Sequence, residues 1–119
     1  MSLDIVLALI DADQDAALAR LIDLLRIESI STDPAYAQEC DKAANWLVDD
    51  IKSIGFDASK RPTSGHPMVM AHGDQQGGTH VLFYGHYDVQ PVDPLDLWDN
   101  PPFDPQIEDT PNGKVLRGR

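Results

Sequence analysis

The run His80–Gly85, HVLFYG, is the feature that most limits what this chain can fold into. Val81 to Tyr84 would place apolar side chains on both faces of an extended segment, and such a strand needs a covering layer on each side. That pattern belongs to the middle of a parallel or mixed sheet packed between helices rather than to a half-exposed hairpin. The run then stops abruptly on Gly85, His86 and Asp88.

The covering helices are legible upstream. Val6, Leu7 and Ile10 lead into Leu18, Leu21, Ile22 and Leu25 at helical spacing, which predicts one long helix, or two in succession, over much of residues 4 to 27. Ser29, Ser31, Thr32 and Asp33 gather before Pro34, an N-cap followed by proline at the first helical position. A second helix over about 34 to 54 would bury Cys40, Ala43, Leu47, Ile51 and Ile54, with Gly55 placed for a left-handed C-terminal cap. Two further strands are expected at 56 to 62 and 68 to 72, separated by Gly- and Pro-containing turns. The expected class is therefore α/β, two helices packed on a mixed or parallel sheet. Residues 89 to 105, rich in proline, read as an ordered loop anchored by Leu97, Trp98 and Phe103; Asn112-Gly113 between two extended runs reads as a hairpin.

Composition narrows the partners. The 119 residues are 42% apolar and 24% charged, which suits one folded unit or a piece of one. Nine basic against twenty acidic residues give a net charge of -11, a field that repels phosphate backbones and anionic lipid, so neither nucleic acid nor membrane is an expected partner. Cys40, the single cysteine, excludes an internal disulfide framework and a multi-cysteine zinc site; it reads as a small core residue in a reduced, cytoplasmic setting. The N-terminal apolar run lacks a preceding Lys or Arg and is too short to span a membrane.

In open α/β sheets, ligands collect beyond the carboxyl ends of the strands, where His86 and Asp88 fall. If the backbone stays extended through Tyr87, a spacing of two puts both side chains on one face. An imidazole beside a carboxylate suits a metal ligand with its orienting partner, and equally a hydrogen-bonded structural histidine; spacing alone leaves both open. His66, His72 and His80 read as loop or surface residues. The G-x-S-x-G elbow and the glycine fingerprints of nucleotide-binding loops are missing, and Asp93, Asp96 and Asp99 lack calcium-loop spacing.

The segment VLFYGHYDVQPVDPLDLWDNPPFDPQIED, followed by GKVLRGR, resembles the zinc-dependent dipeptidase, aminoacylase and carboxypeptidase family of co-catalytic metallopeptidases. GHYDVQP, the LWDNPPF loop and the terminal GR come in that family's order, and RIESIS with the two upstream helices is similar to its N-terminal segment. The resemblance implies that His86 is a zinc ligand and Asp88 the carboxylate that orients it. It also implies two zinc ions in a complete active site, with a bridging aspartate, a general-base glutamate and a lid domain all downstream of Arg119. Residues 1–119 would then be the N-terminal portion of a metallopeptidase catalytic domain, inactive alone and without tightly bound zinc. The expected activity of the parent is hydrolysis of dipeptides or short peptides, by similarity to the dipeptidase branch. The alternatives are an N-acyl amino acid amidohydrolase and a non-catalytic self-associating module. A homo-oligomer through exposed sheet edges or the 95–119 segment is expected, because bare edges recruit strands.

Overall fold

The structure, a computed structural model, describes residues 2–74 and 77–119. Helix α1 spans Leu3–Leu25, and a 3-10 turn at Pro34–Tyr36 leads into α2 at Ala37–Ser53. The strands are β1 (Asp57–Arg61), β2 (Met68–His72), β3 (Gln106–Thr110) and β4 (Gly113–Arg117). The chain divides into two units, Ile27–Leu97 on one side and Met1–Arg26 with Trp98–Arg119 on the other.

In the unit Ile27–Leu97, the cap expected of α2 closes the 3-10 turn Pro34–Tyr36 instead, and α2 itself starts three residues later, at Ala37, without a side-chain cap; its C-terminal end follows the sequence. The Asp33 carboxylate accepts the Ala35 N–H at 2.9 Å, and Pro34, which has no N–H to satisfy, takes the first helical position. At the other end Gly55 adopts φ +94°. Its N–H donates to Lys52 O at 3.0 Å and the Phe56 N–H to Ile51 O at 3.4 Å, the pair of bonds that closes a helix on a left-handed residue.

One face of α2 packs on the antiparallel pair β1–β2, which is in register from Asp57 opposite His72 to Arg61 opposite Met68. The buried residues of α2 are Cys40, Ala43, Ala44 and Val48. Leu47 and Ile51 are only half-buried and Ile54 is exposed, so the buried face is turned towards Ala44 relative to the expected stripe. Small side chains line that face, Ala43 and Ala44 on α2 being buried as Ala58 is on β1, and small residues let packed backbones approach closely. The Lys60 ammonium on β1 donates to the Asp41 carboxylate on α2 at 2.6 Å and holds that carboxyl below the usual aspartate range.

The class is α/β with two helices, as expected. Its strands pair as two separate antiparallel hairpins, β1–β2 and β3–β4, and parallel pairing is confined to one bridge between Ile30 and Val89. The largest departure from expectation is at residues 80–85, which run without a strand partner among the described residues. Leu82, Phe83 and Tyr84 are about 90% exposed. A central strand exists only by virtue of neighbours that take its N–H and C=O groups, and among the described residues β1 and β2 pair with each other and with no third strand.

In the second unit, α1 is a single helix close to its expected bounds, yet none of its residues is buried. Leu3, Ile5, Leu7, Leu9 and Ile10 are exposed, while Leu18, Ile22, Leu24 and Leu25 are half-buried. No helix among the described residues is long and apolar enough to cross a membrane. The hairpin β3–β4 closes one residue earlier than expected: Thr110 pairs with Gly113, so Pro111 and Asn112 form the loop. Proline pre-sets the first loop position, and Gly113 takes the following left-handed one at φ +108°. Cross-strand ion pairs, Arg117 to Glu108 at 2.8 Å and Lys114 to Asp109 at 3.0 Å, brace the ladder. In the preceding loop Trp98 and Phe103 are half-buried while Pro102 and Pro105 are buried.

Gly55 has open space where a Cβ would go, so substitution there is penalised by backbone conformation alone. Gly55→Ala is expected to lower stability by about 1 kcal/mol, the cost of a left-handed alanine. Urea denaturation should show a reduced midpoint with unchanged slope, and an unchanged midpoint would contradict the cap.

Candidate metal-ligand site

His86 and Asp88 lie where the unpaired run 80–85 meets the parallel bridge. Two backbone bonds form that bridge: the Val89 N–H donates to Ser29 O at 2.9 Å, and the Ser31 N–H to Val89 O at 3.3 Å. The Ser29 hydroxyl, on a residue only 3% exposed, donates to Tyr87 O at 2.9 Å. Flanking Ser29, Ile27 and Ile30 are buried, which fixes the segment against the core. The backbone of residues 87–89 is therefore held by residues 29–31, nearly sixty positions earlier.

The sequence spacing is realised as proximity. His86 Nδ1 lies 3.0 Å from the Asp88 carbonyl oxygen and 3.3 Å from Asp88 Oδ1. In the neutral ring, two oxygen acceptors facing Nδ1 call for the proton on that nitrogen, which leaves the lone pair on Nε2. The imidazole is 76% exposed, and no hydrogen bond of Nε2 is found among the described residues. The other carboxylate oxygen, Asp88 Oδ2, accepts the Ser31 hydroxyl at 2.6 Å. That hydrogen bond is the main reason the Asp88 carboxyl titrates below the usual range; partial burial works against it and the nearby His86 adds to it.

A neutral imidazole with an outward Nε2 and an Nδ1–H directed to a carboxylate has the donor chemistry of one zinc ligand. A closed zinc site needs three or four protein ligands, and among the described residues no group of three or more His, Cys, Asp or Glu is close enough to hold a metal. Within this chain, then, the fit is that of a single ligand and its orienting partner.

The other histidines are distributed as follows. His72 is exposed at the end of β2, and His80 is exposed in the unpaired run. His66 is a loop residue, as expected, but half-buried, and it donates through Nε2 to Ser31 O at 2.7 Å. The Tyr87 hydroxyl donates to Pro67 O at 2.6 Å, so the 63–67 turn is strapped to both sides of the bridge. Sequence reasoning missed Ser29, Ser31, His66 and Tyr87 as a group. Ser29 and Ser31 drew notice only as part of a capping cluster, and nothing in their local pattern signals a partner at position 88.

Cys40 sits under this region fully buried, as expected of a core residue. Burial pushes its thiol above the usual range, and the charge of Asp88 adds to the shift.

No protein-family model matches the chain. It is similar to the Cys-Gly metallodipeptidase of Schizosaccharomyces pombe, 30% identical over 114 residues that cover 87% of this chain and 24% of that protein. A Candida albicans protein of the same description is 33% identical over 98 residues, 71% of this chain and 20% of that protein. The succinyl-diaminopimelate desuccinylase of Dechloromonas aromatica is 39% identical over 75 residues, 61% and 18% respectively. Among solved structures, the di-peptidase Dug1p from Saccharomyces cerevisiae matches with a TM-score of 0.74 at 27% identity, covering 83% of this chain and 23% of that one. The chain thus spans about a quarter of the length of the metallodipeptidases it matches.

A buried thiol with a raised pKa should be inert. Cys40 is expected to react with a thiol reagent such as Ellman's only at the rate of unfolding, and promptly in urea. Rapid stoichiometric labelling of the folded chain would show that α2 does not pack as described.

Proposed function

Because the chain belongs to the metallodipeptidase and desuccinylase family of hydrolases, we propose that it is the N-terminal portion of a catalytic domain whose complete form cleaves dipeptides or short peptides. The observation that carries this reading is the His86–Asp88 pair, its imidazole oriented and its Nε2 turned outward. In this reading His86 is a zinc ligand and Asp88 holds its ring in the metal-binding tautomer. Zinc, when bound, acidifies water and polarises an amide carbonyl. The residues of this chain serve by orientation: Asp88 keeps the proton on Nδ1, and the bridge to Ser29 and Ser31 keeps Asp88 in place. The remaining ligands and the general base belong to the parent domain. The two-zinc stoichiometry and a cytoplasmic setting are part of the same proposal.

The dipeptidase reading is favoured over an N-acyl amino acid amidohydrolase because a metallodipeptidase similarity reaches 87% of the chain, against 80% for a desuccinylase, and the solved structure that matches is a di-peptidase. A polypeptide carrying these residues with the rest of its catalytic domain, supplied with zinc or cobalt, is expected to hydrolyse dipeptides faster than N-succinyl or N-acetyl amino acids. The reverse preference would select the deacylase. The 119-residue chain alone is expected to retain far less than one zinc per chain after dialysis against chelator and to hydrolyse neither substrate; a tightly held equivalent would overturn the single-ligand reading.

A second reading, self-association, is supported by a separate observation. Residues 81–84 present an uncharged, β-prone apolar run to solvent, and the outer edges of β1 and β2 have no strand neighbour among the described residues. Copies of this chain would pair through these edges. With a net charge of -11 opposing association, salt should strengthen it, since screening shortens the reach of the repulsion. Light scattering is expected to report species above monomer mass that grow with ionic strength; a monomer at high concentration and high salt would refute the pairing.

A further inference from the structure

The backbone of His86 has little to hold it. It leaves the unpaired run 80–85, and among the described residues its ring is secured through Nδ1. Asp88 is itself 41% exposed, and a carboxylate on a surface aspartate turns freely unless one of its oxygens is tied. The tie is Ser31.

We propose that Ser31 is the positioning residue of this site: its hydroxyl, 2.6 Å from Asp88 Oδ2, fixes the carboxylate so that Oδ1 meets His86 Nδ1, and thereby selects the tautomer with the lone pair on Nε2. The inference rests on the reading of His86 as a metal ligand for its purpose, though not for its geometry. Ser31 is suited to the role because its own place is set three ways. Its N–H donates to Val89 O at 3.3 Å, its carbonyl accepts the His66 Nε2–H at 2.7 Å, and the adjoining Ile30 is 3% exposed. The hydroxyl is thus delivered by a strand-like segment packed on the core, while the imidazole it governs stands in solvent. A chain of hydroxyl, carboxylate and imidazole transmits that order outward through two hydrogen bonds.

A competing anchor exists. The Asp88 carbonyl lies 3.0 Å from Nδ1 and could hold the proton there without help from the side chain. A purely structural Ser31 would also matter for stability but leave the imidazole alone. The discriminating readout is therefore the tautomer. In the nitrogen-15-labelled 119-residue chain at about pH 8.5, above the ordinary imidazole value of about 6.5, long-range proton–nitrogen spectra distinguish protonated from unprotonated ring nitrogens. The wild-type chain is expected to show His86 with Nδ1 protonated and Nε2 bare. Ser31→Ala should give comparable populations of both tautomers, with His66 retaining its Nε2 proton as evidence that the fold persists. Ser31→Thr, which keeps the hydroxyl, should restore the wild-type pattern, and Ser31→Cys, a weak donor of similar size, should fall between. If Ser31→Ala unfolds the chain, the Cys and Thr variants carry the comparison. Unchanged His86 nitrogens in folded Ser31→Ala or Ser31→Cys would overturn the proposal in favour of the carbonyl anchor. Adding zinc separates this from the functional reading: a wild-type Nε2 resonance that does not move with zinc would sink the ligand assignment while leaving the tautomer result standing.

Discussion

The parallel bridge between residues 29–31 and 87–89 is the interaction on which the candidate site depends. It joins two segments remote in sequence by two backbone hydrogen bonds, adds the Ser29 hydroxyl on the Tyr87 carbonyl, and sets the Ser31 hydroxyl against Asp88. The energy behind it comes from the buried isoleucines on either side of Ser29 rather than from the polar contacts, each of which replaces a bond to water. The polar contacts supply direction. Without the bridge, His86 and Asp88 would be two exposed residues at the end of an unpaired segment.

Beneath the bridge, a short list of small side chains carries the core. Cys40, Ala43, Ala44 and Val48 are buried on α2 and Ala58 on β1, two elements in contact, and the Asp41–Lys60 pair joins the same two elements at their polar margin. Small residues bring backbones close but contribute little apolar area each, so this unit is stabilised modestly. The exposed run 81–84 holds larger apolar side chains than the core itself does. That inversion is the physical basis for expecting the run to seek other apolar surfaces.

Local structure was legible wherever it depended on neighbours in sequence. The span of α1, the Asp33-Pro34 cap of the turn that leads into α2, the Gly55 cap and the strands at 57–61 and 68–72 all follow from periodicity, capping and turn chemistry acting over a few residues. The His86–Asp88 pair followed from a spacing of two. What escaped was everything set by distant partners. Whether 80–85 is a strand depends on neighbours that receive its hydrogen bonds, and whether α1 is buried depends on what covers it. Which face of α2 is buried depends on the strands it packs against, a property of the pair and not of the helix.

By itself, then, the sequence determined the elements, the α/β class, the placing of an imidazole and a carboxylate side by side, and, through extended similarity, the family. Tertiary structure alone decided that Ser31 faces Asp88, that His66 and Tyr87 strap the 63–67 turn to the bridge, and that the apolar run stands open. The reason is range: capping, turns and periodicity act over three or four residues and leave their mark in composition. A hydrogen bond between positions 31 and 88 leaves none until the chain has folded.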